Sequence, residues 1–254
     1  MLKIKNLSRG KFLLLESDSN KVYATFHNKY QDIVSFNGDT VATEVLSRVK
    51  FADGKEVSSE VFFRLVDDSI VKDLIIHQIT FSYEGERTSF NKSLFTFNVN
   101  ASCLEDTEFI EKLTKLDVSV FALEVNGSLA SSLSELAVGN INKLRARGHE
   151  VWLDDYFSLS DSCNVRILDS IKWDVVKIDK SLFLLDECYP GELVRLVNRL
   201  LLDYEAVVVE GVEHLSQAAL FKGNDRVFLQ GYLYSACLYY DDWLHLNSRK
   251  LNNQ

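Results

Sequence analysis
From about residue 95 onward, short runs of β-branched and apolar residues alternate with segments whose apolar positions recur at helical spacing. FTFNV (95–99), VSVFALEV (118–125), EVWLD (150–154), DVVKI (174–178) and EAVVVE (205–210) are nearly continuous in apolar character, which predicts strands buried on both faces. Between them, SLSELAVGNINKLRARG (132–148) and GELVRLVNRLLLDY (191–204) gather apolar residues on one helical face. The first closes on Arg145, Arg147 and Gly148, a C-terminal stop signal. Repeated βα units imply a parallel sheet with right-handed crossovers. The N-terminal quarter reads differently: FLLLES and KVYATF predict strands, and SSEVFFRLVDD opens a helix from Ser58 or Ser59.

Periodicity leaves such a sheet open or closed. What favours closure is that polar residues recur at the C-terminal ends of the predicted strands: Asn100, Glu124, Asp154, Asp155, Lys177 and Glu210. In a TIM barrel those ends converge on one face, where active sites are built. The expected fold is therefore α/β, a modified TIM (β/α)8-like barrel in a single domain over residues 1–254, with one proline, Pro190, and no Gly/Ser-rich linker to divide it.

Charge narrows the ligand. A formal net charge of -9 opposes binding to a nucleic-acid polymer, so a phosphate-bearing ligand must be held locally by metal ions or a few arginines. No stretch approaches the roughly 20 apolar residues a membrane span requires, and MLKIKNLSRGKF has no apolar signal region. Cys103, Cys163, Cys188 and Cys237 form no CxxC pair, which points to reduced thiols and a cytoplasmic location.

An acid after a strand commonly caps a helix or sits in solvent. Several such acids at one barrel mouth would instead raise one another's pKa unless a cation neutralised them. Oxygen ligands suit Mg²⁺ or Mn²⁺, and two such ions suit phosphoryl chemistry, so the residues alone point to a metal-dependent hydrolase of a phosphate ester.

A set of blocks, in order, then resembles the signatures of the EAL-domain cyclic di-GMP phosphodiesterases. YQDIV (30–34) and TEVLSR (43–48) resemble the opening strand and the Glu-Ala-Leu-x-Arg motif, with Val45 in place of alanine. FNVNAS (97–102), LEV (123–125), VWLDDY (151–156), VVKIDKSLF (175–183), VVVEGVEHLSQ (207–217) and LQGYLYS (229–235) follow, so the matched blocks span about 30–235.

The resemblance implies roles. Glu44, Asn100, Glu124 and Asp154 would hold one metal ion, and Asp154 would bridge to a second completed by Asp155. Lys177 and Glu210 would act beside the attacking water, as acid-base or positioning groups. Arg48 would contact substrate phosphate or guanine. Gln31, Glu213 and Gln230 would line the same mouth. The implied reaction is hydrolysis of cyclic di-GMP to linear pGpG with Mg²⁺ or Mn²⁺, in a chain that allows for a homodimer.

Three departures keep other readings open. Glu124-Val125-Asn126-Gly127 lacks the family's Thr-Glu, DDYFSLS replaces a glycine-rich loop, and Asp32 stands where proline is usual. They leave as alternatives a weak or inactive cyclic di-GMP sensor and a protein-interaction module of EAL fold.

Overall fold
The structure is a computed structural model that describes residues 2–86, 94–126, 133–156 and 165–251. Its strands are β1 (Leu2–Ser8), β2 (Lys11–Glu16), β3 (Val22–Val34), β4 (Thr40–Phe51), β5 (Glu56–Ser58), β6 (Leu94–Val99), β7 (Phe121–Asn126), β8 (Glu150–Tyr156), β9 (Val175–Ile178), β10 (Ala206–Val209), β11 (Val227–Leu229) and β12 (Leu238–Tyr239). The helices are α1 (Ser59–Phe63), α2 (Asp68–Glu86), α3 (Ala101–Leu104), α4 (Thr107–Thr114), α5 (Glu135–Arg145), α6 (Val165–Ser170), α7 (Ser181–Cys188), α8 (Glu192–Asp203), α9 (Leu215–Ala219) and α10 (Tyr240–Leu251).

The sheet closes on itself in the order β3-β11-β10-β9-β8-β7-β6-β4, with β4 returning to β3. This is the expected eight-stranded barrel, with one strand reversed: β4 and β6 to β11 run parallel, whereas β3 is antiparallel to both neighbours. The reversal follows from chain length. Only residues 35–39 join β3 to β4, with Gly38 at φ 89° closing a turn to Ser35 O at 2.9 Å. A parallel return would need a crossover of a dozen or more residues. Outside the barrel, β2 and then β1 extend the sheet from β3, β5 adds to β4, and β12 pairs with β3.

The predicted helix stops hold in detail. Ser134 caps α5 by accepting from Ala137 N, and the chain leaves that helix through Gly148 at φ 86°. Ser58 caps α1 through Val61 N. The strand expected over 118–125 begins later, because pairing with β6 starts at Phe95 opposite Phe121. α8 turns Leu193, Val197, Leu200 and Leu201 inward and leaves Leu202 82% exposed. Each inward side chain contributes roughly 1.5–3 kcal/mol. Among the described residues no helix is long and apolar enough to cross a membrane.

The barrel interior is layered. Ile33, Ala42, Ala122, Trp152, Val175 and Val208 form a buried apolar cluster separate from the main core, with Leu94 and Phe228 packed on it. Alternate strand residues face the same side. Two residues further along, the same face carries Glu44, Thr96, Glu124, Asp154, Lys177, Glu210 and Gln230. On the reversed strand β3 the polar residue comes first, Gln31 before Ile33. An apolar floor with Trp152 therefore lies under a polar mouth at the C-terminal ends of the parallel strands.

Asp32 points away from that interior. It is fully buried, accepting from Thr43 Oγ1 at 3.1 Å and from the indole of Trp243 on α10 at 2.9 Å. Trp243 also stacks on Tyr30, ring centres 4.8 Å apart. The residue replacing the usual proline thus ties the last helix to β3.

Candidate active site
A cleft of about 400 Å³ opens at the polar mouth, lined among others by Gln31, Glu44, Asn100, Asp154, Asp155, Glu210, Glu213 and Gln230. Beneath it, the Lys177 ammonium lies 3.2 Å from Glu44 Oε2, 2.9 Å from Glu124 Oε2, 3.0 Å from Asp154 Oδ1 and 2.8 Å from Glu210 Oε1. These acids come from β4, β7, β8 and the end of β10, so closure of the barrel is what brings them together.

Glu44 is held on both oxygens. Asn98 Nδ2 donates to Oε1 at 2.9 Å, and Gln230 Nε2 donates to Oε2 at 2.6 Å. Gln31 donates to Ser235 O at 3.0 Å and accepts from Gln230 at 3.4 Å. Asn100 occupies the N-cap of α3 without a capping bond from its side chain, at the cleft wall. Glu213 is exposed at the rim. Arg48 lies outside the cleft lining, exposed and 3.7 Å from Glu56 Oε2.

Local sequence sets this geometry. Gly211 has φ 68°, and a Cβ there would stand 2.3 Å from Lys180 Cβ. A Cβ on Gly231 would stand 2.2 Å from Val212 O. Side chains at either position would force apart the two turns that present Glu210 and Gln230. Asp155 is a non-glycine residue at φ 53°, where the β8–β9 pairing shifts register between Leu153 and Tyr156. Its Oδ2 accepts from Asn126 Nδ2 at 2.5 Å.

Electrostatics are set by burial and by one ammonium among four carboxylates. Burial alone would lower the pKa of Lys177, but the acids, Asp154 foremost, hold it well above the usual lysine range. Burial pushes Glu44 up, but Lys177 and the Gln230 and Asn98 amides outweigh it and bring the carboxyl below its usual value. Glu124 is driven well above the usual range by burial and by Glu44. Asp154 is raised by burial against the pull of Lys177. Burial, opposed by Lys177 and helped by Asp154, Glu44 and Asp155, takes Glu210 to about 8.

The donor set fits a divalent cation. Glu124 Oε1 and Gln230 Oε1 are buried and receive no hydrogen bond, and Asp154 Oδ1 meets Lys177 out of hydrogen-bonding geometry. Buried acceptors of this kind cost free energy unless a cation or donor meets them. Asp154, Asp155 and Glu210 also bring oxygens within 4.8 Å of one another. Asp154 and Glu210 therefore belong both to this trio and to the group around Lys177.

Sequence reasoning passed over Asn98 and Asn126. Both had a readable signal: each is a polar residue two positions after an inward-facing one, Asn98 after Thr96 and Asn126 after Glu124. Gly127 and residues 157–159 of the altered loop lie outside the described residues.

Known proteins share this fold. Over 229 residues the chain is 26% identical to a protein of Escherichia coli (strain K12) named probable cyclic di-GMP phosphodiesterase PdeB, covering 85% of this chain and 43% of that one. The chain thus spans less than half of this relative's length. The fold matches an EAL domain protein from Listeria monocytogenes EGD-e, TM-score 0.73 and 19% identity, over 88% of this chain and 92% of that one. It also matches the Bacillus subtilis YkuI protein in complex with c-di-GMP and calcium, TM-score 0.67 and 20% identity, over 90% of this chain and 63% of that one. The family model described as EAL domain matches residues 19–236, so a barrel whose mouth gathers acids from successive strand ends has a family to which it can be referred: the chain belongs to the EAL domain family.

Proposed function
We propose that the chain hydrolyses cyclic di-GMP to linear pGpG with the help of Mg²⁺ or Mn²⁺. The observation that carries this reading is the meeting of Glu44, Glu124, Asp154 and Glu210 at a cleft of about 400 Å³ that Asp155 also lines. Glu44, Asn100, Glu124 and Asp154 would hold one ion, and Asp154 with Asp155 a second. Bound there, the ions would polarise the scissile phosphate and make water nucleophilic at neutral pH.

The remaining steps belong to the chain. Gln31, Gln230 and Glu213 line the entrance and orient the dinucleotide. Arg48, on the same strand as Glu44, offers a guanidinium to phosphate or guanine arriving from the open side. Glu210, at the cleft and beside Lys177, is placed to act on the attacking water as an acid-base or positioning group. Lys177, 2.8 Å from Glu210, steadies that carboxyl in position.

One observation favours a second reading, a sensor that binds the nucleotide without cutting it. Asp155, the sole ligand unique to the second ion, is already engaged by Asn126. Incubation with cyclic di-GMP and Mg²⁺ or Mn²⁺, followed by chromatography, separates the readings. Hydrolysis yields pGpG, tight binding without product supports the sensor, and neither supports an interaction module.

A further inference from the structure
Lys177 is 1% exposed, and neither it nor Glu124 lines the cleft. An ammonium serving only a water in the cleft would need access to it and one acidic neighbour. Lys177 instead sits below the carboxylates, with four of them within 3.2 Å. Its three protons cannot satisfy four carboxylates, and its single charge cannot balance them. Below it lies the apolar floor with Trp152, so the ammonium cannot withdraw downward. Of its four partners Glu210 is the most open to solvent, its side chain 19% exposed against 10% for Asp154.

We propose that Lys177 is the barrel's built-in counter-cation, holding the carboxylate ring together and setting its affinity for a divalent ion by competing for the oxygens of Glu44, Glu124 and Asp154. With Glu44, Glu124 and Asp154 turned to an ion, the ammonium would keep Glu210 as its partner. The competition rests on the metal reading given above, whereas the cohesive role does not. Lysine thereby makes metal affinity lower than the ligand set alone would give, and makes the ring stable without the ion.

Lys177→Met keeps the stem and removes the charge. In EDTA it is expected to melt about 10 °C below the wild type, since loss of one partner of a buried ion cluster is strongly destabilising in a domain of this size. In a calorimetric titration it should bind Mn²⁺ at least about tenfold more tightly, and Mn²⁺ should raise its melting temperature more than that of the wild type. The double variant Lys177→Met/Glu124→Gln, with one buried charge fewer, should recover part of the loss in EDTA and supplies a folded sample should the single variant fail to fold. Unchanged melting in EDTA, or a double variant no more stable than the single, overturns the cohesive role. Mn²⁺ binding no tighter in Lys177→Met overturns the competition. If neither wild type nor variants bind Mn²⁺, the metal reading and the competition fall together, while melting in EDTA still decides the cohesive role.

Discussion

Gln230 donates its side-chain amide to Glu44 Oε2 at 2.6 Å across a sequence separation of 186 residues. The bond joins the last parallel strand to the first over the reversed strand β3, whose Gln31 takes a longer contact from the same amide. The carboxylate ring is therefore a product of closure, and its members answer to one another before they answer to any ligand.

Replacing a single ring acid should therefore separate chemistry from stability. Glu44→Ala and Asp154→Ala are each expected to lower pGpG formation by on the order of 10³-fold or more, since each removes a ligand assigned to the metal. Their melting temperatures in EDTA should hold or rise, because three acids remain for Lys177 and repulsion is relieved. A large fall in stability without metal would assign these acids a structural role instead.

The floor should show the opposite behaviour. Trp152→Ala opens a void at the centre of the barrel, where Trp152 is 2% exposed. The expected loss is about 3–5 kcal/mol, read by denaturant or thermal unfolding. Mn²⁺ should restore some of it if the mouth still assembles.

Acid sensitivity should trace to His149. It stacks on Phe121 at 3.8 Å, and its Nδ1 accepts from Phe121 N at 3.4 Å. Burial foremost, with Arg147 adding, lowers its pKa to about 4 from an ordinary 6.5. The unfolded chain therefore takes up the proton first as pH falls. The stability contributed by the neutral ring is complete above about 6.5 and is lost between there and about 4. In His149→Phe the melting temperature should start lower, through the lost acceptor, and fall less steeply across that window.

Most of the barrel was legible because its parallel strands are apolar on both faces and end in acids. The same period of two, read inward, marks the floor and mouth as Ala42 then Glu44, Ala122 then Glu124, and Trp152 then Asp154. The reversed strand β3 was harder, since alternation along KVYATFHNKYQDIV does not encode direction; only the short turn at Gly38 does. That Lys177 belongs to the mouth was legible from its strand end, but not that four carboxylates from other strands enclose it, since only closure of the barrel brings them there.

The final prediction concerns Asn126, which takes over at the point where the family's acid is absent. Asp155 adopts left-handed backbone at φ 53°, a conformation costing a non-glycine residue roughly 1–2 kcal/mol. Such a residue stays put only when its surroundings hold it. The 2.5 Å bond from Asn126 Nδ2 supplies one such constraint, tying the end of β7 to the carboxylate assigned to the second ion. Asn126→Ala should leave the ring of Glu44, Glu124 and Asp154 intact, because Lys177, Asn98 and Gln230 hold it. A calorimetric Mn²⁺ titration should then show the tighter binding phase unchanged and the weaker phase lowered by about 10–100-fold, the usual cost of losing a group that orients a ligand. Turnover should fall by a similar factor and recover in part at high Mn²⁺, which a fault in folding or in the first site would not allow. If both phases and turnover match the wild type, Asp155 does not hold an ion and the two-metal reading of this mouth must be given up.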